Sequence, residues 1–283
     1  MKKIKEKVIL SKNEAASAAK KMMRDSKILK IIGEENIFTT YVSGSLFEEF
    51  GNSKSDIDIF IIVDEFNIKK IQSIAESDED FTFYDRGLRK VLVTTKEEID
   101  FDIEIYEKEY ILEYISMVSL GTAKNHDKRY DIFHRLKFAK QLINDSNFGI
   151  LKAKMEYDKF SSLFSKEYRI YYGVRVTDIL GAYQEEKFDT SFKMALDLLE
   201  SGITAYLSLA GETNPSSKWL MKKIERYSKN KKETDLNLFD MLCSAYQNIE
   251  LNNMELLKKK TIQILTNCQL LNLKCEEKSN ENY

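Results

Sequence analysis

Tyr41-Val42-Ser43-Gly44-Ser45-Leu46-Phe47-Glu48-Glu49-Phe50-Gly51-Asn52-Ser53-Lys54-Ser55-Asp56-Ile57-Asp58-Ile59-Phe60-Ile61-Ile62-Val63-Asp64 reads as a strand, a tight turn, a short helix and a second strand. Successive strand residues face opposite sides of a sheet, so Asp56 and Asp58 share one face and Ile57 and Ile59 take the other. Two neighbouring carboxylates repel, and each is costly to bury unpaired. A divalent cation between them removes both problems. All-oxygen ligand sets suit magnesium, which also binds substrate phosphates. The Gly44-Ser45 turn offers backbone N–H groups and a hydroxyl, a seat for phosphate.

Working outward, Ile57 to Val63 is an apolar run broken only by Asp58, the mark of a central strand covered on both faces. Upstream, Ser11 and Glu14 fit a capping box that opens a helix over 12–32, ended by Gly33. Residues 37–42 form the first strand. Downstream, a short helix over 67–75 precedes a hairpin of 81–84 and 88–95 around Asp85-Arg86-Gly87. Ile99-Asp100-Phe101-Asp102-Ile103-Glu104-Ile105-Tyr106 then alternates strictly, with three carboxylates on one face. A solvated sheet face gives the same pattern. Mid-strand Asp102 is the preferred third acid beside Asp56 and Asp58, with Glu104 and Asp100 on the same face as alternatives.

From Glu109 onward the period is helical, with helices expected near 107–118, 127–144, 149–165, 167–186, 190–210, 216–228, 236–249 and 252–273. Asn214 is expected to cap a helix that has Pro215 at its first position. In the 190–210 helix, Lys193, Asp197, Glu200, Thr204 and Ser208 form a polar stripe that is either a solvated face or a place to hold a cationic acceptor. Lys222, Lys223, Lys229, Lys231 and Lys232 read as a solvated basic run, or as an RNA contact. The composition shifts near 120–126. The expected division is an α/β domain over 1–122, a helical domain over 123–275 and a disordered polar tail over 276–283.

Charge and cysteine content narrow the class. With 44 basic and 46 acidic residues, the chain lacks the basic excess needed to grip long nucleic acid by bulk charge, although a structured RNA such as tRNA stays open. Hydrophobic residues make up 43% of the chain, enough for a sizeable core. No apolar run approaches the roughly 20 residues that span a bilayer, and none follows the charged Met1–Lys7 stretch as a secretory signal would. Three scattered cysteines without CxxC spacing fit free thiols in a cytoplasmic protein, as a monomer or homodimer. Two histidines without metal-ligand spacing argue against a histidine-based metal site.

Three carboxylates can hold two ions about 4 Å apart, one serving an attacking hydroxyl and the other a leaving pyrophosphate. The matching reaction is nucleotidyl transfer. Gly44-Ser45, Gly51-Asn52 and Ser55-Asp56-Ile57-Asp58-Ile59 resemble the signature of the DNA polymerase β-like nucleotidyltransferase superfamily, and Asp102 resembles its third acid. The resemblance covers about 35–106. It implies a small mixed sheet with flanking helices, two Mg2+ ions on Asp56, Asp58 and Asp102 (or Glu104), and an ATP or other nucleoside triphosphate donor near Gly44, Ser45 and Ser55.

The helical half is similar, over 205–220, to the second domain of antibiotic nucleotidyltransferases such as the aminoglycoside enzymes. Glu48 and Glu49 depart from the small stand-alone members, which often carry an arginine there. The resemblance therefore implies AMP transfer to a hydroxyl of a small molecule, an aminoglycoside-like antibiotic foremost. Lys218 would neutralise the triphosphate from the helical domain. A toxin-like enzyme acting on tRNA or protein is the second expectation, and a non-catalytic nucleotide-binding module the third.

Overall fold

The computed structural model describes residues 9–143, 146–230 and 236–281. Met1–Lys7, Lys231 and Lys232 of the basic run, and residues 282–283 of the expected tail lie outside the described residues. The elements run α1 (Lys12–Asp25), α2 (Ile28–Ile32), β1 (Ile37–Ser43), β2 (Ile57–Val63), α3 (Ile68–Ser77), β3 (Thr82–Asp85), β4 (Lys90–Lys96), β5 (Ile99–Glu107), α4 (Lys108–Ser119), α5 (Arg129–Phe138), β6 (Lys140–Gln141) and α6 (Ser146–Ala153). The helical part continues through α7 (Tyr157–Ser161), α8 (Leu163–Gln184), α9 (Phe188–Leu209), α10 (Leu220–Asn230), α11 (Leu238–Tyr246) and α12 (Met254–Glu281).

Two compact units result. The first holds Met1–Leu120 and Asp131–Glu156, the second Gly121–Tyr130 and Tyr157–Tyr283. The expected cut at 122 therefore misses a segment: α5 from Asp131, β6 and α6 belong with the sheet.

Among the described residues the first unit carries a six-stranded mixed sheet, ordered β3-β4-β5-β2-β1-β6. β2 pairs parallel with β5, and the other neighbouring pairs are antiparallel. Every residue of β2 is buried, as its apolar run demands of a central strand. Ile57, Ile59, Ile61 and Ile103 face a core with Ala15, Ala19 and Met22 of α1 and Ile71 and Ile74 of α3. The other face carries a stacked aromatic row: Tyr41 lies on Phe60 at 4.9 Å, Phe60 on Tyr106 at 6.5 Å, and Tyr106 on Tyr110 at 6.1 Å. Near-parallel rings at such separations add to what their burial contributes.

The capping box of α1 forms as expected: Ser11 Oγ accepts the Glu14 N–H, and Glu14 returns a carboxylate to the Ser11 N–H. The single helix expected over 12–32 breaks at Ser26, and Lys27 takes left-handed φ 56° before α2 starts. The short helix expected after Ser45 is a run of turns in which Phe47 and Glu48 N–H both donate to the Gly44 carbonyl, and Glu49 takes φ 65°. Where one helix was expected over 127–144, the chain leaves α5 at Phe138 and pairs as β6 with the edge of β1. An unpaired β1 edge would leave main-chain donors and acceptors without partners, and this pairing outweighs local helical preference. The helix expected over 149–165 is split among α6, α7 and the start of α8.

In the second unit, α9 packs its apolar stripe, Phe192, Leu196, Leu199, Ile203 and Tyr206, into a core with Leu257, Ile264 and Leu271 of α12. Residues 276–281, expected in a disordered tail, continue α12. Asn214 does not cap a helix at Pro215. Its Oδ1 accepts the Ser216 N–H at 2.9 Å in a local turn, and α10 begins at Leu220 after a 3-10 turn. Cys243, Cys268 and Cys275 are free thiols. No helix among the described residues is long and apolar enough to cross a membrane.

Candidate active site

The sheet brings the predicted acids together by register. Ser43 of β1 pairs with Asp58 of β2, and Asp58 pairs with Asp102 of β5, so the row crosses three strands. Asp56 precedes β2 at the end of the loop from Ser45. One carboxylate oxygen from each of Asp56, Asp58 and Asp102 lies within 4.8 Å of the others. Asp58 is buried, while Asp56 and Asp102 are partly exposed. Among the described residues this is the one group of three acidic, histidine or cysteine side chains so converged.

Gly44 is required twice over. Its φ of +93° lies in the left-handed region, where residues with a Cβ are strained. A Cβ there would also stand 1.8 Å from Asp58 Oδ2, so only glycine lets that carboxylate occupy its place. Ser45 and Ser55 are also adjacent: the Ser45 hydroxyl donates to Ser55 Oγ at 3.3 Å. Ser55 Oγ accepts the Asn52 N–H at 2.9 Å, and Asn52 Oδ1 accepts the Lys54 N–H at 2.8 Å. The loop thus folds back on itself and places two hydroxyls next to Asp56.

Glu104 does not join the three acids. The converged group leaves it out, and its Oε2 accepts both Arg89 Nη1 at 3.2 Å and the Tyr106 hydroxyl. Asp100 is exposed and accepts the Thr95 hydroxyl at 2.6 Å. Lys218 belongs to the second unit, where its ammonium lies 4.9 Å from the Trp219 ring centroid.

Arg135, on α5, was not among the predicted site residues. Its Nη1 stands 2.7 Å from Asp58 Oδ1, its Nε donates to Asp131 Oδ2 at 2.7 Å, and its guanidinium lies over Phe60 at 5.7 Å. The Nη1 contact is close but poorly directed for a hydrogen bond, so Coulomb attraction carries it. The Arg135 carbonyl accepts the Ser43 hydroxyl at 2.5 Å. Next to it, buried His134 Nε2 lies 2.9 Å from buried Glu48 Oε1 in the turn after Ser45. The i,i+4 pair Asp131/Arg135 is visible in the sequence, but nothing local ties it to Asp58. That tie was obscured because 131–138 read as part of the helical half.

The electrostatics are those of a crowded acidic site. Burial pushes the Asp58 carboxyl up to about 7, against the opposing pull of Arg135 and with help from Asp56 and Glu104. Burial, then Asp56 and Glu104, raise Asp102 as well. Burial works against the Arg135 charge, but Asp58, Asp131 and Glu104 outweigh it and keep the guanidinium protonated. Three carboxylates held this close, two of them resisting ionisation, form a donor set that favours a bound cation.

Neither a protein-family model nor a curated protein sequence matches the chain. Among solved structures, a nucleotidyltransferase-like protein from Exiguobacterium sibiricum 255-15 is similar, with TM-score 0.49 and 9% identity over 90% of this chain and 74% of that one. At that identity no residue role passes from one to the other.

Proposed function

We propose that the chain is a magnesium-dependent nucleotidyltransferase that moves a nucleoside monophosphate, AMP from ATP foremost, onto a hydroxyl of a small molecule. The observation that carries this reading is the convergence of Asp56, Asp58 and Asp102 beside the Ser45–Ser55 hydroxyl pair. The donor set fits the metal. Octahedral magnesium with oxygens at about 2.1 Å spans at most about 4.2 Å between opposite ligands, so side-chain adjustments of about half an ångström close the cluster. Bound there, a pair of divalent ions would polarise the acceptor oxygen and offset charge on the departing pyrophosphate. Asp56, Asp58 and Asp102 would hold the ions. Ser45 and Ser55 donate hydroxyl hydrogen bonds to the triphosphate and fix its position. A carboxylate beside the ions would receive the acceptor's proton. Positioning and charge neutralisation supply most of the rate enhancement.

A cationic acceptor, aminoglycoside-like in character, is supported by the second unit. A cavity of about 490 Å3 there is lined by Glu167, Asp197 and Glu200, with Tyr171 and Phe164 as ring faces and Arg175 as the opposing charge. Asp197, Glu200 and Thr204 come from the polar stripe of α9, which on this reading is a binding wall. An RNA acceptor draws support from Lys218 and Lys222, whose ammonium groups lie 4.9 and 5.1 Å from the Trp219 ring centroid, a basic and aromatic patch of the kind that stacks bases.

The test is incubation with ATP labelled at the α-phosphate, magnesium, and separate panels of aminoglycosides, tRNA and protein lysate. Label in the aminoglycoside fraction supports the first acceptor, and label in tRNA the second. Asp56→Asn should lower turnover at least about a thousandfold with any acceptor. An Asp56→Asn protein that transfers label normally would refute the metal assignment.

A further inference from the structure

Arg135 presents a problem that the proposed function does not solve. The carboxylate row needs a cation, yet one of its members already has one. Asp58 Oδ1 lies 2.7 Å from Arg135 Nη1, while Asp58 Oδ2 is packed against Gly44, where a Cβ would be 1.8 Å away. Oδ1 is therefore already paired with a cation, while Oδ2 lies against Gly44. A divalent ion bound by the three acids shares the Asp58 carboxylate with the Arg135 guanidinium, and repulsion between the two cations loosens the ion pair.

The rest of the Arg135 environment is arranged for that exchange. Its Nε is held by Asp131 at 2.7 Å, one helical turn back on α5, and its plane lies over Phe60. The Asp131 side chain is 44% exposed, so it can follow the guanidinium. Losing Asp58 would thus leave Arg135 paired and stacked, which avoids the cost of a bare buried charge. The Nη1–Oδ1 contact is the poorly directed one of the two.

We infer that Arg135 is the resident counter-cation of Asp58, that a divalent metal competes with it for this carboxylate, and that the Asp58–Arg135–Asp131 chain sets the metal affinity of the site. The inference rests on the metal-binding reading given above. On this reading Arg135 acts through Asp58 and is a positioning residue that trades one carboxylate for another.

Two variants should move affinity in opposite directions. Arg135→Gln removes the competitor and should bind Mn2+ about tenfold more tightly than the unaltered protein, a change of about 1.4 kcal/mol. Asp131→Asn removes the alternative partner, concentrates Arg135 on Asp58, and should bind Mn2+ several-fold more weakly. Arg135→Lys keeps the charge and should stay within about threefold of the unaltered protein.

The readout is free Mn2+ measured by electron paramagnetic resonance during titration of the full chain, which does not depend on turnover. Arg135→Gln that binds Mn2+ equally or more weakly overturns the inference. Should that variant fail to fold, Asp131→Asn decides, and binding equal to or tighter than the unaltered protein overturns it. Asp58→Asn separates the two levels. If it matches the unaltered protein in Mn2+ binding, the metal reading itself fails. If it loses Mn2+ while the Arg135 and Asp131 variants move the wrong way, only the role of Arg135 fails.

Discussion

At Gly44 a single hydrogen in place of a methyl decides whether Asp58 can stand in the site. Gly44→Ala meets two penalties, the positive φ and the overlap with Asp58 Oδ2. Left-handed backbone costs about 1–2 kcal/mol for a residue with a Cβ, and Asp58 must then swing away from Arg135. The expected result is a loss of about 2 kcal/mol in urea unfolding, together with loss of Mn2+ binding. Unchanged Mn2+ affinity in a folded Gly44→Ala protein would show that Asp58 is not held against this glycine.

The pH dependence belongs to the same residue scale. Asp58 is raised in the folded state to about 7 from its ordinary carboxylate value, and Asp102 is raised too. At these two groups the folded protein binds more protons than the unfolded chain between about pH 4 and 7, so their contribution to stability without metal falls as pH rises through that window. Thermal melts across the window should show this slope, magnesium should flatten it, and Asp58→Asn should remove most of it. A metal-free pH slope that is the same in the unaltered protein and in Asp58→Asn would contradict the raised Asp58 carboxyl.

These aspartates were legible in the sequence because the strand period and the turn glycine are local features. Arg135 was not, because an ion pair between residues 58 and 135 depends on where α5 packs, and no local pattern carries that.

At the scale of elements, α5 and β6 are where sequence and structure part. The helical period over 127–144 was real for its first half, and Arg129–Phe138 is a helix. The second half is claimed by the open edge of β1, through Tyr41 opposite Gln141 and Val42 opposite Lys140. A non-local edge pairing of this kind outweighs propensity and leaves no trace in periodicity. The consequence is functional. α5 reaches the turn after Ser45 through His134 and Glu48, at 2.9 Å and with both side chains buried. His134→Ala and Glu48→Ala should therefore couple in a double-mutant cycle by about 1–3 kcal/mol. Each alone should raise the KM for the nucleotide if, as proposed, this turn seats the triphosphate, because the turn loses its tie to α5. Additive unfolding energies would show that the two side chains do not interact.

For the molecule as a whole, the division into an α/β part and a helical part was legible from the change of period near residue 109, but its line was not. The chain leaves the first unit after Leu120, returns at Asp131 and leaves again after Glu156. The sequence offered no proline-rich or glycine-rich linker at either crossing, so nothing local marked the return. The first unit consequently owns Arg135, His134 and the strand that closes β1. It also owns Phe148, whose ring lies 5.9 Å from that of Tyr41. A fragment ending at 122 lacks all of these. It would expose the β1 edge and the Tyr41–Phe60 face, the conditions for edge-to-edge aggregation. A fragment of residues 1–156 keeps the six-stranded sheet and the Asp58–Arg135 pair. The expectation is a cooperative thermal transition and Mn2+ binding for 1–156, and neither for 1–122. A 1–122 fragment that melts cooperatively and binds Mn2+ as well as the full chain would show that residues 131–156 are an accessory to the site. If only 1–156 does so, the segment read as the start of the helical half is part of the acid site's own support.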